Sequence, residues 1–196
     1  MKWLIALVAL AGCDKLFSVT HVPLHVDSGA DAPLEACPTV DYVAVGGTAQ
    51  TSKYRYVSPK GLPWDAAELD CETDSLTKIT HLVVFDDPSE MAAVRSLVPA
   101  SPPYWQVFTG YARNADAQGG IPFSFTSVTG TPIEASSPIW EKVNGVEPDN
   151  GGTMFPEETI TFFEMTRNLT DGPASMQLGY ICECDGKVAN QTFKIR

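Results

Sequence analysis

Positive charge is what this chain has least of. Its 13 Lys and Arg face 24 Asp and Glu, giving a formal net charge of −11 and an isoelectric point near 4.5. A nucleic-acid backbone demands a basic surface, so DNA and RNA are excluded as partners on charge alone. Long apolar runs are also missing: the run at residues 3–10 is too short to cross a bilayer as a helix. There is no G-x-S-x-G elbow, no H-E-x-x-H helix and no phosphate-cradling glycine loop, so the sequence shows no enzyme signature. Internal repeats and low-complexity tracts are absent as well, which excludes solenoid and fibrous architectures. Apolar residues nonetheless make up 44% of the chain, enough for one domain with a real core.

The N-terminus reads as a targeting segment. Lys2 precedes the short apolar run, and small residues lead into Cys13. Leu10-Ala11-Gly12-Cys13 resembles the lipobox of bacterial lipoproteins, which implies a signal peptide over residues 1–12, lipidation at Cys13 and an extracytoplasmic protein anchored to a bacterial membrane. Residues 13–36 carry scattered Pro, Asp, Ser and Gly without a sustained period and read as a tether. His21 and His25 lie in this tether with no third ligand nearby. A lipobox places the chain in a bacterium, so the sequons at Asn168 and Asn190 are set aside as glycosylation sites.

Four cysteines remain: Cys37, Cys71, Cys182 and Cys184. In an oxidising compartment an even count reads as two disulfides. Cys182 and Cys184 point the same way on a strand and should not pair with each other. Zinc is the weaker reading, because Cys182-Glu183-Cys184 lacks the spacer of most structural zinc pairs.

From Cys37 onward the texture is that of a folded domain. Residues 39–45 and 53–58 alternate as strands. Trp64, Ala67 and Cys71 set an apolar stripe on a helix within residues 61–74. Residues 80–85 read as a short buried strand, with His81 as a partly buried structural residue. Asp87-Pro88-Ser89-Glu90 then predicts a capped helix ending before Pro99. The second half offers short aromatic or β-branched runs at 104–111 and 123–128, a long loop at 139–156, and strands at 159–165 and 179–183. Tyr54, Tyr56, Trp64, Trp105 and Trp140 are read as core residues. Helices early and short strands late predict an α+β domain.

These elements, in this order, resemble the C-type lectin-like domain over residues 37–186, leaving 187–196 as a C-terminal tail. The resemblance rests on Trp64, Ala67 and Cys71 in the first helix, and on Trp105 in the core strand. It continues through the turn Thr129-Gly130-Thr131-Pro132, Trp140 ahead of Glu147-Pro148-Asp149, and the terminal Ile181-Cys182-Glu183. It implies disulfides Cys71–Cys182 and, with that pair assigned, Cys37–Cys184. The family's second bridge is missing, since Thr159 and Ala174 stand at its positions. The resemblance also implies a Ca²⁺ cage of Glu147, Asp149, Glu157, Thr170 and Asp171, with Glu147, Asp149, Asn150 and Glu157 contacting a glycan. Calcium takes six to eight hard oxygens, and these residues offer oxygens only. In the family the peptide before the loop proline is cis. Leu169 and Thr170 depart from the family's W-N-D, and EPD matches neither the E-P-N nor the Q-P-D sugar pattern. The expected function is therefore a carbohydrate-binding lipoprotein. The alternative is a calcium-independent module for protein contacts or envelope structure.

Overall fold

The computed structural model describes residues 36–47, 52–100, 106–113, 125–142, 147–148, 158–164 and 168–193. These fall within one compact unit, Leu34–Arg196. It is an α+β domain, and its elements follow the order β1 (Lys53–Val57), α1 (Trp64–Glu72), β2 (Thr80–Leu82), α2 (Pro88–Val94), a 3-10 turn (Arg95–Leu97), β3 (Gln106–Ala112), β4 (Phe125–Ser127), β5 (Pro132–Ile133), β6 (Glu158–Glu164), β7 (Leu169–Pro173) and β8 (Gly179–Cys184).

Strand β8 is the spine. All its residues are buried, and it pairs antiparallel with β1 along one edge. Its other edge is shared by β2, antiparallel, and by β3, parallel through Val107↔Gly179 and Phe108↔Tyr180. From β3 the sheet extends through β6 to β7 and, on a second branch, through β4 to β5. Helix α1 forms because Trp64, Ala67 and Cys71 fall on one face, and that face is buried. Trp64 also donates its indole N–H to the Thr109 carbonyl at 2.7 Å. Helix α2 starts where its cap dictates: Asp87 Oδ1 accepts the Ser89 and Glu90 amides at 2.7 and 3.0 Å.

Two disulfides staple this layout. Cys71–Cys182 ties α1 to β8, and Cys37–Cys184 ties the entry of the domain to the end of β8. Within residues 187–193 two side chains pack on the domain. Ala189 is buried and donates its amide to Lys78 O, and the Phe193 ring meets Trp64 edge-on at 5.7 Å.

Several sequence expectations need correction. Residues 39–45 do not form a strand; Val43 makes an isolated bridge to Tyr54. Asp41 sits at φ 63°, a left-handed turn that interrupts an extended course. The strand expected over 80–85 ends at Leu82: Val83 still donates its amide to Ile181 O at 2.9 Å, but Val84 gives its amide to the Glu183 side chain. Strands β5 and β7 carry no strand signal in the sequence. His81 is wholly buried rather than partly so. Trp105 lies outside the described residues.

Gly110 marks the tightest approach in the core. A Cβ there would press on the Leu82 carbonyl oxygen and come within 2.9 Å of Val84 Cγ2. Backbone cannot yield as a side-chain tip can, so Gly110→Ala should cost about 2 kcal/mol of stability, read as a lower urea midpoint. An unchanged midpoint would show that β2 and β3 are free to separate.

Candidate functional site

The described part of the long loop is held at its neck by β7. Trp140 bridges Leu169 in parallel register. The Leu169 amide donates to Ile139 O at 3.0 Å, and the Glu141 amide to Leu169 O at 2.9 Å. The buried Trp140 fixes this neck, packing on Phe125 at 5.4 Å and donating its indole N–H to Glu134 O at 3.0 Å. Glu141 then works twice. Its Oε2 accepts the Asn168 amide at 2.9 Å, and its carbonyl accepts the Glu147 amide at 3.0 Å. Lys142 closes the turn by donating to the Ala135 and Glu147 carbonyls.

Glu147 is thereby brought within two hydrogen-bond steps of Leu169, the first residue of β7. The Glu147–Pro148 peptide is cis. Thr170 and Asp171 follow Leu169 on β7, both buried, opposite Phe162 and Thr161 of β6. Thr170 turns its hydroxyl toward the Phe162 carbonyl at 3.4 Å. Asp149, Asn150 and Glu157, the other expected ligands, lie outside the described residues, as does Cys13. Sequence reasoning missed Glu141. Its only signal was its place beside Trp140, since nothing local marks a carboxylate that ties three segments together.

A second polar cluster gathers at the end of β8. His81, Glu183 and Asp185 have donor atoms within 4.8 Å of one another. His81 Nδ1 faces Leu82 O at 2.9 Å and Nε2 faces Asp185 Oδ1 at 3.1 Å. Both partners only accept, so the ring carries both N–H groups and is an imidazolium. Burial opposes that charge most strongly, but Asp185, the Leu82 carbonyl and Glu68 together raise the His81 pKa. Burial likewise presses Asp185 upward, yet His81 and Lys187 hold it well below the usual carboxylate range. The cluster is a hydrogen-bonded ion pair.

A cleft of about 410 Å³ is lined by residues 84–88, Tyr111, residues 131–134 and residues 136–139. Its rim mixes Asp86, Asp87, Glu134, Ser136 and Ser137 with proline rings.

No family model and no curated protein matches the chain. Solved structures do. The C-type lectin CEL-I from Cucumaria echinata matches at TM-score 0.55 and 21% identity, over 76% of this chain and 97% of that one. The C-type lectin domain of murine dendritic cell inhibitory receptor 2, in complex with N-glycan, matches at TM-score 0.55 and 18% identity, over 76% and 98%. A Ca²⁺-dependent type II antifreeze protein, in its Ca²⁺-free form, matches at TM-score 0.52 and 15% identity, over 75% and 98%. This is a C-type lectin-like fold. At these identities the likeness establishes the fold alone. Within the C-type lectin-like frame, Leu169 is fully buried and belongs to the core beside Trp140. Among the described residues, no helix is long and apolar enough to cross a membrane.

Proposed function

We propose that the domain is an extracytoplasmic carbohydrate-binding module, anchored to a bacterial membrane through lipid on Cys13 and free of enzymatic activity. Its long loop, residues 139–156, carries the ligand. The observation behind this reading is the Trp140–Glu141 neck, which ties Glu147 to the strand bearing Thr170 and Asp171. Glu147, Asp149, Glu157, Thr170 and Asp171 would hold Ca²⁺. Their donors are all oxygen, the chemistry a hard divalent cation takes, with carbonyls or water completing the shell. Bound calcium would offer vacant coordination positions to vicinal sugar hydroxyls. Glu147, Asp149, Asn150 and Glu157 would orient the sugar, the carboxylates by accepting hydroxyl protons. The two disulfides support an oxidising compartment.

The experiment is a calcium titration of thermal stability, paired with glycan-array binding with and without chelator. Calcium at a hundredfold excess over its Kd should stabilise the fold by about 2.7 kcal/mol. Glu147→Ala should abolish that gain while leaving the calcium-free midpoint in place. A midpoint indifferent to calcium, with glycan binding that survives chelator, removes the metal from the mechanism. The second reading is a calcium-independent module for protein contact or envelope structure. The Thr170 hydroxyl, turned onto the Phe162 carbonyl, favours it. That reading gains if calcium has no effect and a protein partner copurifies.

A further inference from the structure

Asn168, the residue before β7, is gripped from two sides. Its amide donates to Glu141 Oε2 at 2.9 Å, and its side-chain oxygen accepts Arg95 Nη2 at 3.1 Å. Arg95 opens the 3-10 turn that follows α2, so this contact fastens the start of β7 to the end of a helix. Glu141 is buried and uses three groups at once. The carboxylate takes Asn168, the amide donates to Leu169 O at 2.9 Å, and the carbonyl accepts the Glu147 amide at 3.0 Å. The carboxylate bond is the one that a change of side chain removes. A buried carboxylate oxygen on a main-chain amide is charge-assisted, and so stronger than a neutral pair.

Strand β7 is fixed along its length by β6, with Leu169 opposite Phe163 and Thr170 opposite Phe162. The turn at Glu147 is what has to be brought to it. We infer that Glu141 is the positioning residue of the loop site, with Asn168 and Arg95 behind it: its carboxylate sets where Glu147 stands relative to β7.

In the calcium reading, on which the metal arm of this inference rests, these three residues supply no oxygen to the ion. They hold the segments that do, as the outer hydrogen bonds of a metal site hold its ligands. Affinity at the loop then depends on a residue at the end of α2 that belongs to no loop motif. The same positioning serves a protein-contact surface built on the loop, because it fixes the backbone whether or not an ion is bound.

The first arm of the test is calcium titration by calorimetry on the full chain, with affinities taken per folded molecule. Glu141→Ala should weaken calcium binding by about 10–100-fold, the usual effect of losing an outer hydrogen bond at a metal site. Glu141→Gln keeps an oxygen for the Asn168 amide and should stay within about threefold of wild type. A purely structural role would lower the calcium-free midpoint of Glu141→Ala and leave the affinity of its folded molecules unchanged; that result overturns the positioning role. So does a Glu141→Gln affinity as weak as that of Glu141→Ala. Should Glu141→Ala fail to fold, Arg95→Ala takes its place, with a weakening of about threefold or more expected and an unchanged affinity overturning the role.

The second arm needs no metal. In calcium-free protein, hydrogen exchange at the Glu147 amide should be about tenfold or more faster in Glu141→Ala than in wild type, although the Glu141 carbonyl that accepts this amide is retained. An unchanged rate overturns the positioning role. A wild-type chain that takes up no calcium, together with faster exchange in the variant, removes the metal from the proposed function and supports the positioning role on its own.

Discussion

Replacing Cys71 and Cys182 together with alanine should lower the unfolding free energy by about 4–5 kcal/mol, the chain-entropy value for a loop of this size. The bridge spans 111 residues and joins α1 to the spine of the sheet. Both cysteines are fully buried, and Cys182 lies between Arg55 of β1 and Leu82 of β2 in the sheet register. Its Sγ also takes a 3.2 Å contact from Arg55 Nη2, so removal takes packing along with the cross-link. The Cys37–Cys184 bridge spans 147 residues, but with Cys71–Cys182 closed it adds only the path from Cys37 to Cys71 and the step from Cys182 to Cys184. Its loss should therefore cost less, and Cys37 is only half-buried. Guanidinium unfolding of the two alanine pairs gives the comparison directly. A cost below about 1 kcal/mol for the Cys71–Cys182 pair would mean that the denatured chain is already compact around α1 and β8.

The stability of the domain should fall as pH rises from about 4.5 to about 7, with Glu68 as a principal cause. Glu68 lies on the buried face of α1, where desolvation pushes it up to about 7. Its Oε2 accepts the Leu82 amide at 2.7 Å, while Oε1 is buried without a hydrogen-bond partner among the described residues. A folded pKa above the unfolded one means that the native state binds more protons in that window. The stability is complete below the unfolded value of 4.5 and is lost as pH passes through the folded value. Glu183 and His81 are raised too and act in the same direction. Asp185 acts oppositely: its contribution disappears only as pH falls below the ordinary aspartate range. Glu68→Gln should keep the bond to Leu82 without the charge, adding up to about 3 kcal/mol at pH 8 and almost nothing at pH 4.5. Urea unfolding at the two pH values measures this. An equal effect at both would show that Glu68 does not titrate with folding.

Where side chains act on their own neighbourhood, the sequence was readable. The Trp64–Ala67–Cys71 stripe and the Asp87 cap with Pro88 behind it each draw on residues within a few positions, and α1 and α2 lie where those patterns predict. The short aromatic and β-branched runs behind β3, β6 and β8 were legible for the same reason. Strand β7 was not. Its residues, LTDGP, have poor strand propensity, and they are extended because β6 supplies a partner from Glu158↔Pro173 to Phe163↔Leu169. For the candidate site, the motifs pointed to Glu147 and to Thr170–Asp171, but the route joining them runs through Glu141, whose charge carries no pattern.

By itself the sequence determined the acidic surface, the cysteines available for two bridges, both helices and the order of elements that marks the fold. Those depend on composition and on short-range periodicity. Only the tertiary structure decided that Glu68, Glu90, Glu183 and His81 are buried, and that Glu68, Glu183 and His81 are pushed toward their protonated forms. Partners such as His81 and Asp185 stand 104 residues apart, and sheet register and desolvation bring them into contact. A carboxyl group reads the same in any string of letters; its charge is set by what the fold packs around it.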